Sequence, residues 1–211
     1  NKTNLFIVIT MNKFVLLDFD GVLFDSLPEV YQVCTKLVEK YPDEYIHISF
    51  NQFKLFRSYL TDAWQFNRLF SRCEKINDFS LLDEIIPKDV DWIFTQRFFQ
   101  MRKNLMNEID WAAIMKPYSF FNKIKPLLNE FPDHFVILST RNEESIKRTL
   151  IYYGVEKLKI FGQQAIRDNG SKLETAKVNM LLSNSQYIVY VDDMISHLKP
   201  FINHVNLCVH A

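Results

Sequence analysis

Four short apolar runs, KFVLLD at 13–18, HFVILS at 134–139, YIVYVD at 187–192 and VNLCVH at 205–210, are each bounded by polar residues. Continuous rather than alternating hydrophobicity over so few residues marks strands buried on both faces, the condition met in parallel sheets covered by helices. A weaker fifth run, LKIF, lies at 158–161. Between the later runs the spacing turns helical, in FNKIKPLLNEF, in ESIKRTLIYYG closing on Gly154, and in KLETAKVNMLLSN. Strands alternating with helices form βαβ units, so the expected fold is α/β, a Rossmann-like doubly wound parallel sheet.

The segment after the first run reads differently. Residues 28–116 carry no strand pattern but several helical stretches, PEVYQVCTKLVEKY, SFNQFKLFRSYL, AWQFNRLFSRCEK and PKDVDWIFTQRFFQMRKNLMNEI. So long a connection exceeds any ordinary loop and must be structured. The expected organisation is therefore an α/β core from 1–27 and 117–211 with an all-helical cap domain inserted at 28–116. The Trp and Phe residues of the insertion recur at helical spacing, which predicts a small core of its own rather than a ligand cage.

The chain has 211 residues, with 25 basic and 25 acidic, so no net field draws it to nucleic acid or an anionic membrane. Any anion binding must be local. The apolar run LFIVIT at 5–10 is too short to span a bilayer. Met11, just before the first secure strand, marks an expected natural start. Cys34, Cys73 and Cys208 are odd in number, scattered and without a CxxC pair, which suits core thiols in a reducing cytoplasm.

In open α/β sheets ligands bind beyond the carboxyl ends of the strands. The first strand runs into Asp18-Phe19-Asp20-Gly21. Residues two apart on extended backbone project to one side, about 6–7 Å apart at roughly 3.3 Å per residue, so both carboxylates can address one substrate atom. Gly21 lets the chain turn away and expose a nucleophile. Asp25 reads as a turn residue, and Ser26 with Glu29 has the form of a capping box. The second strand ends in Ser139-Thr140-Arg141-Asn142, either a phosphate cradle at a helix start or an ordinary N-cap. Asp192-Asp193 closes another strand; adjacent acids repel unless a cation neutralises them, and all-oxygen ligation favours Mg2+. Lys172, after the Asn169-Gly170 turn, is favoured over Lys177 as the cation for a substrate phosphate.

The motifs DFDGVLFDS, LSTRN, GSKLETAK and YVDDM, in this order, resemble those of the haloacid dehalogenase superfamily, in its phosphatase branch with an inserted helical cap. The resemblance covers residues 11–30 and 117–211. It implies that Asp18 is the nucleophile forming an aspartyl-phosphate and that Asp20 is the general acid and base. Thr140 and Lys172 would hold the phosphoryl group. Asp18, the Asp20 backbone carbonyl and Asp193, with Asp192 as a possible helper, would ligate Mg2+. Two departures stand out: no glycine precedes the acid pair, and His197 occupies the region of the usual second acid. Dehalogenation needs no acid at Asp20, so the implied activity is Mg2+-dependent phosphomonoester hydrolysis of a small phosphorylated metabolite. A phosphomutase and a non-catalytic phospholigand-binding protein are the alternatives. Substrate choice would reside in a cap that closes over the site, where Arg57, Arg68, Arg72, Arg97 and Arg102 are candidates for a second anionic group, most of them expected to be solvated. Arg141 reads either as a substrate contact or as a surface arginine.

Overall fold

The computed structural model describes residues 13–60, 62–108, 110–182 and 187–211. Residues 1–12, with the LFIVIT run and Met11, lie outside the described residues. The chain divides into two compact units, 1–25 with 116–211, and 26–115.

Among the described residues, the first unit is built on five parallel strands. β1 (Lys13–Leu17) is central, and the order is β5-β4-β1-β6-β7, with β4 Phe135–Leu138, β5 Lys159–Phe161, β6 Tyr187–Asp192 and β7 Leu207–His210. Each apolar run of the sequence thus contributes a strand. Side chains alternate across the sheet, so Leu16, Val136, Leu138, Ile188 and Tyr190 share one buried cluster with Ala176, Leu181, Leu198 and Phe201. β7, at the edge, is largely exposed rather than buried. β2 (Phe24–Asp25) pairs antiparallel with β3 (Lys116–Pro117), where the chain leaves this unit and returns to it. Neither dipeptide carries a period from which a strand is read, so both escape sequence analysis.

Helices occupy the expected connections at Ser119–Glu130, Glu143–Tyr152 and Lys172–Val178. The last stops short of the predicted 172–184, with Met180 at φ 56. A further helix, Gln163–Asn169, fills a segment in which only its closing turn at Gly170 was expected.

The second unit is helical: Leu27–Lys40, Phe50–Phe56, Ala63–Phe70, Asp89–Leu105 and Trp111–Ile114. Phe53, Phe66, Phe70, Phe94, Phe98 and Trp111 meet in its own core, as their helical spacing requires. Ser49 and Gln52 form a capping box at the start of Phe50–Phe56. Ser26 and Glu29 do not, although their spacing is the same: Ser26 makes no side-chain cap bond. Glu29 is instead held bidentately by Arg102, with contacts of 2.8 and 2.9 Å. A buried ion pair to a distant helix outbids the local cap, because an unpaired carboxylate at that depth costs more than an open amide at a helix end.

The arginines divide: Arg72 is exposed as expected, Arg57, Arg97 and Arg102 are half-buried, and Arg68 is buried. Arg68 and Arg102 are engaged in ion pairs, Arg68 with Asp91 and with Glu74 at 2.8 Å. Arg97 pairs with Glu44, while Arg57 and Arg72 donate to the Leu60 and Pro42 carbonyls. All five are thus committed within the helical unit. Of the thiols, Cys34 is buried as expected, whereas Cys73 is exposed and Cys208 half-buried. Among the described residues no helix is long and apolar enough to cross a membrane.

Candidate active site

β1 ends at Leu17, but the ladder continues one bond further, with Asp18 N–H donating to Val191 O at 2.9 Å. Leu16 is paired with Tyr190 and Leu17 with Val191. One step on, the same register sets Asp18 beside Asp192 on neighbouring strands, on the face that carries Leu16 and Tyr190. Two carboxylates on strands roughly 4.8 Å apart need a cation between them. Lys172 supplies it: its Nζ lies 2.9 Å from Asp18 Oδ2 and 2.7 Å from Asp192 Oδ2. All three side chains are at most 6% exposed. Lys177, the competing candidate, sits on the surface with Glu174.

The electrostatics follow from that burial. Desolvation pushes the Asp18 carboxyl above its usual range, against the opposing pull of Lys172. Burial works on the Lys172 ammonium in the opposite sense, but the charges of Asp18 and Asp192 outweigh it and hold the lysine protonated. Asp192 is also desolvated, yet its contacts with His197, Lys172 and Tyr190 together bring it well below the ordinary carboxylate range. Burial and then the Asp192 charge push the Tyr190 phenol far up, so it remains a donor.

Asp192 is consumed by internal bonds. Its Oδ2 accepts from Lys172 and from the Tyr190 hydroxyl, and its Oδ1 accepts from Met194 N–H at 2.8 Å. His197 Nδ1 stands 3.2 Å from Oδ1. Asp18, Asp192 and His197 are the described residues whose potential ligand atoms lie within 4.8 Å of one another. Lys172 already bridges the two acids of that trio, so their proximity reflects an ion pair as much as a metal cage. Asp193 is exposed and turns the other way, with its carboxylate against Gly21. A Cβ on Gly21 would stand 2.0 Å from Asp193 Oδ2, and the glycine has φ +79. Close approach and backbone conformation therefore both demand glycine there.

Asp20 is partly exposed and has a different partner. Arg141 donates from one terminal guanidinium nitrogen to Asp20 Oδ1 at 2.9 Å, and its own side chain is 2% exposed. The surface-arginine reading of Arg141 is therefore corrected: a partner 121 positions away in sequence draws it inward. Ser139 is buried, its Oγ accepting from the Arg141 N–H, whereas Thr140 is exposed beyond the end of β4. Asn142 is the N-cap of Glu143–Tyr152, accepting from Ser145 N–H at 3.2 Å, so the capping reading holds for that residue. Asp25 lies in β2 rather than in a free turn.

Tyr190 is the residue sequence reasoning missed. The available signal was its place two residues before Asp192, which puts both on one face of β6.

No protein-family profile matches the sequence, and no curated protein matches it. Solved structures do: 43 chains match. A hydrolase of the haloacid dehalogenase-like family from Streptococcus pneumoniae superposes with a TM-score of 0.61 at 13% identity, covering 95% of this chain and 85% of that one. A protein from Clostridium difficile named as a phosphatase gives 0.65 at 12% identity, over 94% and 84% of the two chains. One from Haemophilus somnus named as a phosphoglycolate phosphatase gives 0.60 at 13%, over 95% and 85%. At these identities the likeness establishes the fold. The protein has the α/β fold of the haloacid dehalogenase-like hydrolases, as its strand-end motifs implied.

Proposed function

We propose that the protein is a Mg2+-dependent phosphomonoester hydrolase, acting on a small phosphorylated metabolite through an aspartyl-phosphate on Asp18. One observation carries this reading. A buried carboxylate at the carboxyl end of the central strand is paired with a buried lysine, and that lysine is anchored in turn by a second carboxylate on the next strand. Such an assembly keeps a nucleophilic oxygen aimed and places a fixed positive charge where phosphoryl oxygens would come to rest, the main requirement of phosphoryl transfer.

Asp18 would attack phosphorus as the bond to the leaving alcohol breaks, with Asp20 giving that oxygen its proton. Water would then attack the phosphorus of the aspartyl-phosphate, losing a proton to Asp20, and inorganic phosphate would leave with Asp18 restored. Lys172 would neutralise the phosphoryl oxygens, and the exposed Thr140 would offer its hydroxyl to them. The donor set suits a hard cation, being made of carboxylate and carbonyl oxygens. Asp18, the Asp20 carbonyl and Asp193 would hold Mg2+, which when bound supplies charge neutralisation at the phosphoryl group. The position of Asp193 against the Gly21 turn, which carries the Asp20 carbonyl, favours it over Asp192, whose oxygens serve Lys172, Tyr190 and Met194. The inserted helices 26–115 would take the part of a cap and set substrate choice.

The test is phosphate release from a panel of phosphorylated metabolites, with Mg2+ and with EDTA, for the wild type and Asp18→Asn. Release that needs Mg2+ and disappears in Asp18→Asn is expected. Release that survives the substitution, or none from any compound, would overturn the reading.

A further inference from the structure

Two carboxylates separated by one residue receive different cations: Asp18 meets Lys172 and Asp20 meets Arg141. Arg141 is fixed far more firmly than a flexible surface arginine. Its Nε donates to Ser145 Oγ at 2.7 Å, and Ser145 is itself fully buried. Its backbone N–H donates to Ser139 Oγ at 3.3 Å, and its carbonyl accepts from Gln163 N–H at 2.8 Å. The Phe19 ring lies 5.9 Å from the guanidinium carbon. The guanidinium is therefore held by its Nε, its backbone and its burial, and it presents one terminal nitrogen to Asp20 Oδ1.

We propose that Arg141 is a positioning residue for Asp20, acting on the general acid rather than on the phosphate; the inference rests on the phosphatase reading above. A carboxyl group on a turn can adopt several rotamers, and proton transfer needs heavy atoms within hydrogen-bond reach. With Oδ1 accepting from Arg141, Oδ2 is the oxygen that carries the proton to the leaving group. A guanidinium suits this task because it is always charged and its donors form a rigid fork, so Ser145 and Asp20 can be served together. A lysine has a single ammonium and cannot span both.

The experiment uses aryl phosphates of graded leaving-group acidity, from phenyl through 4-nitrophenyl to 2,4-dinitrophenyl phosphate. The quantity read is kcat/KM, which reports the step in which the alcohol leaves. A good leaving group departs without a proton, so a group that positions the acid matters most where the leaving group is poor. Arg141→Gln is expected to lower kcat/KM on phenyl phosphate by about 10- to 100-fold, and by no more than about threefold on 2,4-dinitrophenyl phosphate. Ser145→Ala, which keeps Arg141 but frees its Nε, is expected to tilt the series in the same direction by less. It also decides the matter if Arg141→Gln fails to fold, with melting temperatures recorded for both. Equal loss across the series would mean that Arg141 holds phosphate or only the fold, and a series unchanged from wild type would mean it does neither; each overturns the proposal. In both of those outcomes the wild type remains active and Asp18→Asn inactive. A wild type unable to cleave any member by way of Asp18 would overturn the phosphatase reading and this inference together.

Discussion

Lys172 Nζ stands 2.9 Å from Asp18 Oδ2, with both side chains almost wholly buried. The same ammonium reaches Asp192 at 2.7 Å, so one lysine neutralises two carboxylates on adjacent strands. Lys172→Met would leave two buried acids facing one another, and the loss of one partner of a buried pair costs about 3–5 kcal/mol. Denaturant unfolding should show that loss. Adding Asp192→Asn should recover part of it, because only one buried carboxylate then remains unpaired. Phosphate release should stay abolished in both variants.

Gly21→Ala places a Cβ in the left-handed region and into the Asp193 carboxylate. The backbone cost alone is about 1–2 kcal/mol. Because Asp193 must also move, the Mg2+ concentration giving half-maximal phosphate release is expected to rise severalfold. A Mg2+ titration of Gly21→Ala against wild type, alongside urea unfolding, measures both effects.

The Glu29–Arg102 pair makes a separate prediction for the helical unit. Glu29 is 1% exposed, so Arg102→Leu should destabilise by about 3–5 kcal/mol, the range for stranding one partner of a buried pair. Glu29→Met combined with Arg102→Leu should be milder than the single Arg102 change. Urea unfolding of the three variants checks the order.

The thiols should divide by environment. Burial pushes the Cys34 thiol well above its ordinary pKa, more than the nearby Arg102 lowers it. A raised pKa means less thiolate at any given pH, and the thiolate is the reactive form. In native protein at pH 8, iodoacetamide should label the exposed Cys73 and spare Cys34, with Cys34 reacting after denaturation. Peptide mass spectrometry of the alkylated protein resolves the two sites.

The strands could be read in the sequence because burial on both faces of a parallel sheet writes itself as a short unbroken apolar run. The helical insertion could be read from the reverse, a long stretch with 3.6-residue spacing and no such run. The clustering of acids at strand ends was equally legible, since every parallel strand delivers its last residue to the same edge. The partners of those acids were less so. Ser26 and Glu29 have the spacing of a capping box, yet Glu29 bonds Arg102, 73 positions away. Arg141 reads locally as a polar residue at a helix start, yet it turns to Asp20 across 121 positions.

Local pattern therefore determined the five strands of the sheet and most of the helices, and that Asp18, Asp20, Lys172, Asp192 and Asp193 sit at element ends; it missed β2, β3 and the helix Gln163–Asn169 and overran the helix that stops at Val178. Propensity, periodicity and burial are properties of neighbouring residues, and the sequence carries them directly. Tertiary structure alone decided which charge meets which: Lys172 between Asp18 and Asp192, and Arg141 on Asp20. A buried charge must find its counter-charge wherever the fold brings one within about 3 Å, and that distance is set by strand register and helix packing rather than by position along the chain.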